Sequence, residues 1–204
     1  MKSEKELMLS GQLHKALDDE LFKDSRKARR LTRLFNNSNE DDLEYRTDLL
    51  KQLFKTVGEN IYIEPSFHCD YGSNISLGNN FYANYDCIIL DVCDVSIGNN
   101  VFLAPRVSIF TAGHPIDAEG RDELLEFGKP VTIGNSVWIG GNTVINPGVT
   151  IGNNVVIGSG SVVTKDIPDN VIAVGNPCRV LREINEEDKV YWNKKREEYY
   201  QNRK

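Results

Sequence analysis

The sequence predicts a mainly β protein, built as a solenoid of short parallel strands with helices at both ends. Its clearest sign is an aliphatic residue that returns at every sixth position between Gly128 and Asp166. These positions are Ile133, Ile139, Ile145, Ile151, Ile157 and Val163. A helix would repeat its apolar positions about every 3.6 residues, and a half-buried strand every second residue. A short fixed period of six matches neither and indicates one strand and one turn per repeat.

A second sign is a seven-residue motif with Gly-Asn in its middle. It begins at Ile75, Val95, Val131 and Val149, with spacings of 20, 36 and 18 residues. Because 18 residues are three six-residue units, we expect a triangular coil with three short faces. Gly and Asn tolerate left-handed backbone angles better than other residues, which suits them to the corners of such a coil.

The same pattern divides the chain into segments. Leucines recur at helical spacing over 1–57, and the six-residue repeat follows over 58–182. The repeat fails over 111–130, where we expect a loop extruded from the solenoid; a long loop in an otherwise regular domain is usually functional. The highly charged segment 183–204, which carries several aromatic residues, predicts a C-terminal helix.

Composition excludes several classes of protein. The 204 residues carry a formal net charge of −6, so no overall positive field favours nucleic acid or an anionic membrane. The N-terminus lacks the apolar core of a signal peptide, and no stretch reaches the roughly 18 apolar residues of a membrane span. The four cysteines are Cys69, Cys87, Cys93 and Cys178. They form no Cys-x-x-Cys pair, which favours a cytoplasmic protein with reduced thiols.

Three histidines are the candidates for acid–base chemistry. His14 lies in the helical segment and His68 at the end of a repeat, and we interpret both as packing or surface residues. His114 lies in Thr111–Pro115, where the repeat breaks into the loop. A neutral histidine can act as a general base near pH 7. Position alone leaves a functional and a structural role for His114 equally open.

At this point the sequence resembles a known family, the hexapeptide-repeat O-acetyltransferases of sugars, especially the maltose type, with galactoside and nodulation acetyltransferases as relatives. The resemblance covers nearly the whole chain and begins with Gly11–Leu13 followed by Asp18 and an arginine-rich helix. The further matching blocks are Phe67–Gly72, Asn79–Asn84, Thr111–Pro115, Val137–Gly140, Asn146–Gly152, Val163–Asp166 and Gly175–Arg179. Six-residue repeats alone are weakly specific, whereas these blocks in this order are highly specific.

The resemblance implies a fold and a mechanism. The fold is a left-handed parallel β-helix, assembled as a homotrimer with active sites in the clefts between neighbouring prisms. The reaction is transfer of acetyl from acetyl-CoA to a sugar hydroxyl, with His114 as general base. The oxyanion that forms needs a preorganised donor, and the resemblance assigns this role to Asn84 and the backbone N–H of Tyr85.

The resemblance also implies the binding residues. The acceptor residues are Asp70, Asn84 and Asp91. The residues for acetyl-CoA are Asn84, Gly141, Ser159, Thr164, Lys165, Arg179 and Arg182. Trp138 is expected to line the cleft. Asp70 replaces a serine of the galactoside enzymes, and Ala16 replaces an aspartate, which favours a maltose-type acceptor. His14 replaces an aromatic residue that is common at its position, and this departure leaves the choice of acceptor open.

Three other functions compete with this prediction. A γ-class carbonic anhydrase needs three histidines on zinc; it is excluded because His114 has no histidine nearby and His14 lies outside the solenoid. A non-catalytic scaffold explains the repeats, but not a histidine at the loop junction. A galactoside O-acetyltransferase stays open as the alternative enzyme. Because a base and backbone donors suffice for acetyl transfer, we expect no metal.

Overall fold

The computed structural model describes residues 1–203 and contains a β-helix with helices at both ends. The helices are α1 (Glu4–Leu9), α2 (Asp19–Asn36), α3 (Leu43–Leu53), α4 (Ala118–Asp122) and α5 (Glu186–Gln201). The strands are β1 (His14–Lys15), β2 (Thr56–Val57), β3 (Tyr62–Ile63), β4 (Phe67–Cys69), β5 (Ile75–Leu77), β6 (Tyr82–Ala83), β7 (Cys87–Leu90), β8 (Val95–Ile97), β9 (Phe102–Leu103), β10 (Ser108–Phe110), β11 (Ala112–Gly113), β12 (Leu125–Gly128), β13 (Val131–Ile133), β14 (Trp138–Ile139), β15 (Val144–Ile145), β16 (Thr150–Ile151), β17 (Val156–Ile157), β18 (Val162–Val163), β19 (Val171–Val174) and β20 (Arg179–Glu183).

The strands of the β-helix form three parallel sheets, which are the three expected faces. Face 1 has the order β16-β13-β8-β5-β2, and face 3 has the order β18-β15-β10-β7-β4. Face 2 has the order β20-β19-β17-β14-β9-β6-β3, in which β20 pairs antiparallel at the end. The chain passes from face 1 to face 2 to face 3 in each turn, and about six turns stack along the axis.

The six-residue repeat places one aliphatic residue inside each face. Ile133 lies on face 1, Ile139 on face 2 and Ile145 on face 3, and each is at most 1% exposed. The core therefore consists of columns of aliphatic side chains, which the six-residue period predicts correctly. Their burial is the main source of the apolar driving force for this fold.

At the corner between faces 1 and 2, the glycine and the two asparagines have different roles, which the sequence interpretation missed. The residue with positive φ is the second asparagine, such as Asn80 (φ 57°) or Asn100 (φ 56°), and not the glycine. The first asparagine accepts a hydrogen bond from the coil below, as in Asn79 N–H to Asn99 Oδ1 at 2.7 Å. The glycine is needed because a Cβ at Gly98 would lie 2.7 Å from the carbonyl oxygen of the next coil.

Helices α2 and α3 close the N-terminal end of the prism. The side chain of Asn36 pairs with the backbone of Phe67, donating to its carbonyl and accepting from its N–H, both at 2.9 Å. Phe54 packs edge-on against the same Phe67 ring, with the ring centroids 5.6 Å apart. These contacts cover the open end of the first coil and satisfy the backbone hydrogen-bonding groups of Phe67. Within residues 1–203, none of the helices has the length and apolar character needed to cross a membrane.

Candidate active site

The candidate residues lie along two corners of the prism. We call the corner between faces 2 and 3 edge A, and the corner between faces 3 and 1 edge B. Asn84 and Tyr85 lie on edge A, between β6 and β7. Asp70, Asp91 and the start of the extruded loop lie on edge B, after β4, β7 and β10. The strands of face 3 run between the two edges.

The extruded loop is ordered into a small antiparallel sheet. Its strands β11 and β12 pair with each other, and β12 also pairs with β1 from the N-terminal segment. The N–H of Lys129 donates to the carbonyl of Thr111 at 2.9 Å, which closes the base of the loop. The loop sheet lies within the segment 111–130 where the repeat fails, and its pairing with residues 14–15 was not visible in the repeat pattern.

His114 follows β11 and has its ring half exposed, at 52%. Its Nδ1 lies 3.1 Å from the carbonyl oxygen of Leu125. A carbonyl only accepts hydrogen bonds, so in the neutral ring Nδ1 carries the proton and Nε2 presents its lone pair. This is the tautomer that a general base requires.

Glu126 is a candidate site residue that sequence reasoning missed. Its Oε1 lies 3.9 Å from Nε2 of His114. The register explains this proximity: Gly113 pairs with Phe127, so the next residues along the two strands, His114 and Glu126, oppose each other. His14 is the Cα partner of Glu126 on its other side. A glutamate in a segment without a repeat gives no signal in one sequence, because its role depends on strand pairing.

The other two histidines differ from His114 in their surroundings. His14 is 1% exposed; its Nδ1 lies 3.2 Å from the carbonyl of Gln12, and its Nε2 has no hydrogen-bond partner among the described residues. His68 is exposed in the middle of β4, with its side chain outside face 3. His14 is therefore a buried packing residue within the loop sheet, where its neighbour on the adjacent strand is Glu126.

Asp70 lies beside this group on edge B. Burial raises the pKa of its carboxyl to about 6, and the negative charge of Glu126 adds to the rise, while Arg29 opposes it. The Asp70 carboxyl is therefore near its titration midpoint in mildly acidic solution. A carboxyl so placed suits a hydrogen bond to a neutral hydroxyl group, because a neutral partner brings no second charge into the site.

We expect the Asp70→Asn substitution to reduce the pH dependence of stability. A carboxyl with a folded pKa of about 6 and an unfolded value near 3.8 binds its proton more tightly in the folded state. Stability is therefore lost as pH rises from about 4 to about 6 and stays lower above that range. Denaturation at several pH values should show a smaller loss in the variant. The exposed Asp41→Asn serves as the control, and an unchanged slope in Asp70→Asn would contradict the assignment.

Asp91 occupies a different place from the one expected. Its side chain is fully buried, with Oδ1 accepting from the N–H of Asp70 at 3.1 Å and of Tyr71 at 2.9 Å, and Oδ2 from that of Asn74 at 3.3 Å. Burial raises its pKa to about 6, although the N–H donors oppose the rise. The expectation that Asp91 contacts the acceptor is not supported, because its oxygens hold the turn that carries Asp70.

Edge A carries the residues expected to bind the thioester. The N–H of Tyr85 donates to the side chain of Asn84 at 2.7 Å, so the side chain must turn away before this N–H can face an oxyanion. Gly141 and Ser159 lie on the same edge, two and three coils above Asn84. A Cβ at Gly160 would meet no atom within 4 Å, so there is open space around this residue. Trp138 projects from face 2 beside it and is 54% exposed.

The remaining expected coenzyme residues lie near the C-terminal end of the prism. Thr164 and Lys165 are exposed on edge B, after β18, and Arg179 is exposed at the start of β20. Arg182 differs, because its guanidinium binds both carboxylate oxygens of Asp188 at 2.6 and 2.7 Å. In this chain, Arg182 therefore holds the start of α5, and a phosphate could bind it only by competing with Asp188.

The two edges do not meet within one chain. Tyr85 on edge A and Asp91 on edge B are the two ends of the segment that crosses face 3. At about 3.3 Å per residue, this crossing measures roughly 20 Å. His114 and the Asn84 region can therefore act on one substrate only if edge B of one chain lies beside edge A of another. Among residues 1–203, no cluster of three or more His, Cys, Asp or Glu side chains could hold a metal ion.

Comparison with known proteins agrees with this architecture. The model described as "Maltose acetyltransferase hexapeptide capping motif" matches residues 7–58, and "Bacterial transferase hexapeptide (six repeats)" matches residues 130–165. A putative acetyltransferase of Dictyostelium discoideum is 53% identical over 182 residues, covering 89% of this chain and 95% of that protein.

Two solved structures are similar over nearly their whole length. The maltose O-acetyltransferase from Clostridium difficile 630 has a TM-score of 0.89 and 59% identity, covering 90% of this chain and 98% of that one. A galactoside acetyltransferase in complex with coenzyme A has a TM-score of 0.90 and 48% identity, covering 93% and 94%.

A β-helix of six-residue repeats with a histidine on an extruded loop defines the class of hexapeptide-repeat transferases. Within that class, the chain belongs to the family of the maltose and galactoside O-acetyltransferases, and it is an O-acetyltransferase with their left-handed parallel β-helix.

Proposed function

We propose that this protein transfers the acetyl group of acetyl-CoA to a hydroxyl group of a sugar such as maltose or glucose. The observation that carries the proposal is the hydrogen bond between Nδ1 of His114 and the carbonyl of Leu125, which leaves Nε2 free to accept a proton. Acetyl-CoA as donor is supported by the coenzyme A in the galactoside acetyltransferase structure. The open space around Gly160 and the small residues Gly141 and Ser159 on edge A suit a narrow chain such as the pantetheine arm.

The chemistry follows from His114. Its Nε2 removes the proton of the sugar hydroxyl as that oxygen attacks the thioester carbonyl carbon. The carbonyl π electrons move to oxygen, and the resulting oxyanion is stabilised by the N–H of Tyr85 and the amide of Asn84. When the intermediate collapses, the C–S bond breaks and the imidazolium returns its proton to the CoA thiolate. The acetylated sugar and CoA are released.

Asp70 is proposed to bind the acceptor, while Gly141, Ser159, Thr164, Lys165 and Arg179 are proposed to bind the coenzyme. The exposed cations Lys165 and Arg179 suit its phosphate groups, because charged donors make strong hydrogen bonds to phosphate oxygens. Asp91 acts through the turn that it holds and does not touch the sugar. Arg182 is left out of this set, since Asp188 already occupies its guanidinium.

We further propose a homotrimer that brings edge B of one chain beside edge A of the next. The outward side chains of face 1 are polar, as in Ser76, Ser96 and Thr132, which suits contact with water. Those of face 2 are apolar, as in Phe102 and Trp138, and both are about half exposed in the single chain. Covering the apolar face with another copy removes this surface from water. A cytoplasmic location, favoured by four unpaired cysteines, stays a prediction.

An acceptor panel tests this function. Thiol release from acetyl-CoA is measured with maltose, glucose, lactose, isopropyl-thiogalactoside and chitin fragments, and kcat/KM is compared across them. We expect the highest value with maltose or glucose. A preference for the galactosides would select the galactoside alternative. Neither turnover of any sugar nor binding of CoA would favour the non-catalytic scaffold.

Glu126→Gln should lower kcat by about tenfold while the KM for acetyl-CoA changes little. The carboxylate lies 3.9 Å from Nε2 of His114 and stabilises the imidazolium that forms when the base takes a proton. The effect is moderate because solvent reaches both groups. Steady-state kinetics of the variant check this, with Glu119→Gln in α4 of the same loop as the control. A change confined to the KM of the sugar would instead place Glu126 in acceptor binding.

A further inference from the structure

Helix α5 has no use in the proposed chemistry and is the least supported element of the chain. Its start is firmly fixed by a capping box between Asn185 and Asp188 and by the Arg182–Asp188 ion pair. None of its residues from Glu186 to Gln201 is buried. The helix is therefore held at its first turn, while the rest of it lies against solvent.

The composition of α5 does not fit that exposure. Its five large apolar or aromatic side chains are Val190, Tyr191, Trp192, Tyr199 and Tyr200, and each is between 53% and 65% exposed. Most helical stability in proteins comes from packing an apolar surface and not from helix propensity. The rings of α5 pair with neighbours on the same helix or just after it, as in Tyr191 with Trp192 at 5.1 Å between centroids and Tyr199 with Arg203 at 5.5 Å. In the single chain, the helix therefore lacks a partner surface against which its apolar side chains could pack.

The chain itself offers a matching surface on face 2. A column of outward aromatic side chains runs along it through Tyr62, Tyr82, Phe102 and Trp138, which are consecutive partners in the strand register. Tyr62 and Tyr82 stack with centroids 6.0 Å apart, and Trp138 is 54% exposed. In the sheet order, β20 and β3 are the two outermost strands. Helix α5 follows β20, so it leaves the prism at the end of the sheet and does not cover the column of its own chain.

We propose that α5 docks on a second copy of this chain, with its aromatic side chains against the outward aromatic surface of face 2. At about 100° per residue, Tyr191, Trp192 and Tyr199 lie within about 100° of one another on one side of α5. Aromatic side chains bury roughly 150–250 Å² each, so these three supply roughly 450–750 Å² toward the roughly 800 Å² per partner of a stable interface. The helix and its target are different surfaces, so the contact is heterologous and closes into a ring under cyclic symmetry. The inference rests on the assembly proposed above and adds the element that joins its members.

The test uses Trp192 as a reporter of the contact. The chain has two tryptophans, so the Trp138→Phe variant leaves Trp192 as the only one. Fluorescence and acrylamide quenching are measured over a dilution series, together with sedimentation of the same samples. We expect blue-shifted, quencher-protected emission in the assembled protein, and a shift to the red as dilution dissociates it. Acetyl transfer by the unmodified protein is measured separately.

A paired substitution gives the second readout. Tyr191→Ser combined with Tyr199→Ser should raise the dissociation constant for self-association at least about tenfold, because Trp, Tyr and Arg are enriched among the interface residues whose truncation costs more than 1 kcal/mol. Lys194→Gln on the same helix is the control and should leave it unchanged. An oligomer with fully exposed Trp192 would overturn the inference and leave the assembly standing. A monomer would overturn both, and with them the active site proposed between two chains. Protection of Trp192 in a monomer would place the helix on its own chain. The acetyl transfer that is measured separately tests whether the reaction itself occurs.

Discussion

His114→Ala lowers kcat by roughly 10²–10⁴, the usual contribution of a positioned general base. The loss arises because no other described histidine near the loop has an exposed ring beside Glu126: His14 is buried in strand β1 of the loop sheet, and His68 lies on face 3. The KM for acetyl-CoA should stay nearly constant, since the proposed coenzyme contacts lie elsewhere. Steady-state kinetics with saturating sugar measure both constants.

The fold should survive this substitution. The ring of His114 is half exposed and makes one hydrogen bond to Leu125, outside the aliphatic columns of the core. Circular dichroism and sedimentation of the variant check that the β-helix and its assembly are intact. His68→Ala is the comparison, with the same loss of an imidazole from the outer surface. If His114→Ala kept a normal kcat and His68→Ala lost it, His68 would be the base.

The sequence carries strong information about the solenoid because its geometry is local and periodic. Each inward position recurs every six residues, so Ile133, Ile139 and Ile145 identify the three faces without any knowledge of long-range contacts. The loop over 111–130 is visible for the same reason, as the place where the period fails. The resemblance to the acetyltransferase family then assigned the role of general base to His114. Its position at the loop junction alone left that role open.

The parts that were missed depend on contacts between distant segments. Glu126 meets His114 through the register of β11 and β12, and no spacing rule in the loop predicts that register. The resemblance assigned Asp91 to acceptor binding and Arg182 to coenzyme binding, and a carboxylate and a guanidinium suit sugars and phosphates. In the folded chain their hydrogen bonds are already taken by the turn after β4 and by Asp188. Which partner a polar group has is set by tertiary structure.

The glycine corners show how a residue type can be predicted correctly for an incomplete reason. Left-handed backbone angles explain the asparagines, such as Asn100, but Gly98 has no positive φ. Its hydrogen faces the next coil, whose position is fixed by the 2.8 Å hydrogen bond from Gly98 N–H to the carbonyl of Ile133. A sequence pattern cannot distinguish a glycine that is needed for φ from one that is needed for close approach.

Gly98→Ala should therefore lower the free energy of unfolding by about 3 kcal/mol or more, at the upper end of the cost of overpacking. The added Cβ would lie 2.7 Å from the carbonyl oxygen of Gly134 and 2.7 Å from Oδ1 of Asn135. Neither atom can move away easily, because the next coil is packed just as tightly. A Cβ at Gly134 would itself lie 2.7 Å from the carbonyl oxygen of Gly152, so a displacement would pass from coil to coil. Chemical denaturation at one fixed protein concentration measures the loss, since assembly makes stability depend on concentration.

Gly160→Ala is the matched control: its φ of 72° costs about 1–2 kcal/mol, but its Cβ would meet no atom within 4 Å. A loss in Gly98→Ala no larger than that in Gly160→Ala would contradict the close approach of the next coil as the reason for glycine at position 98.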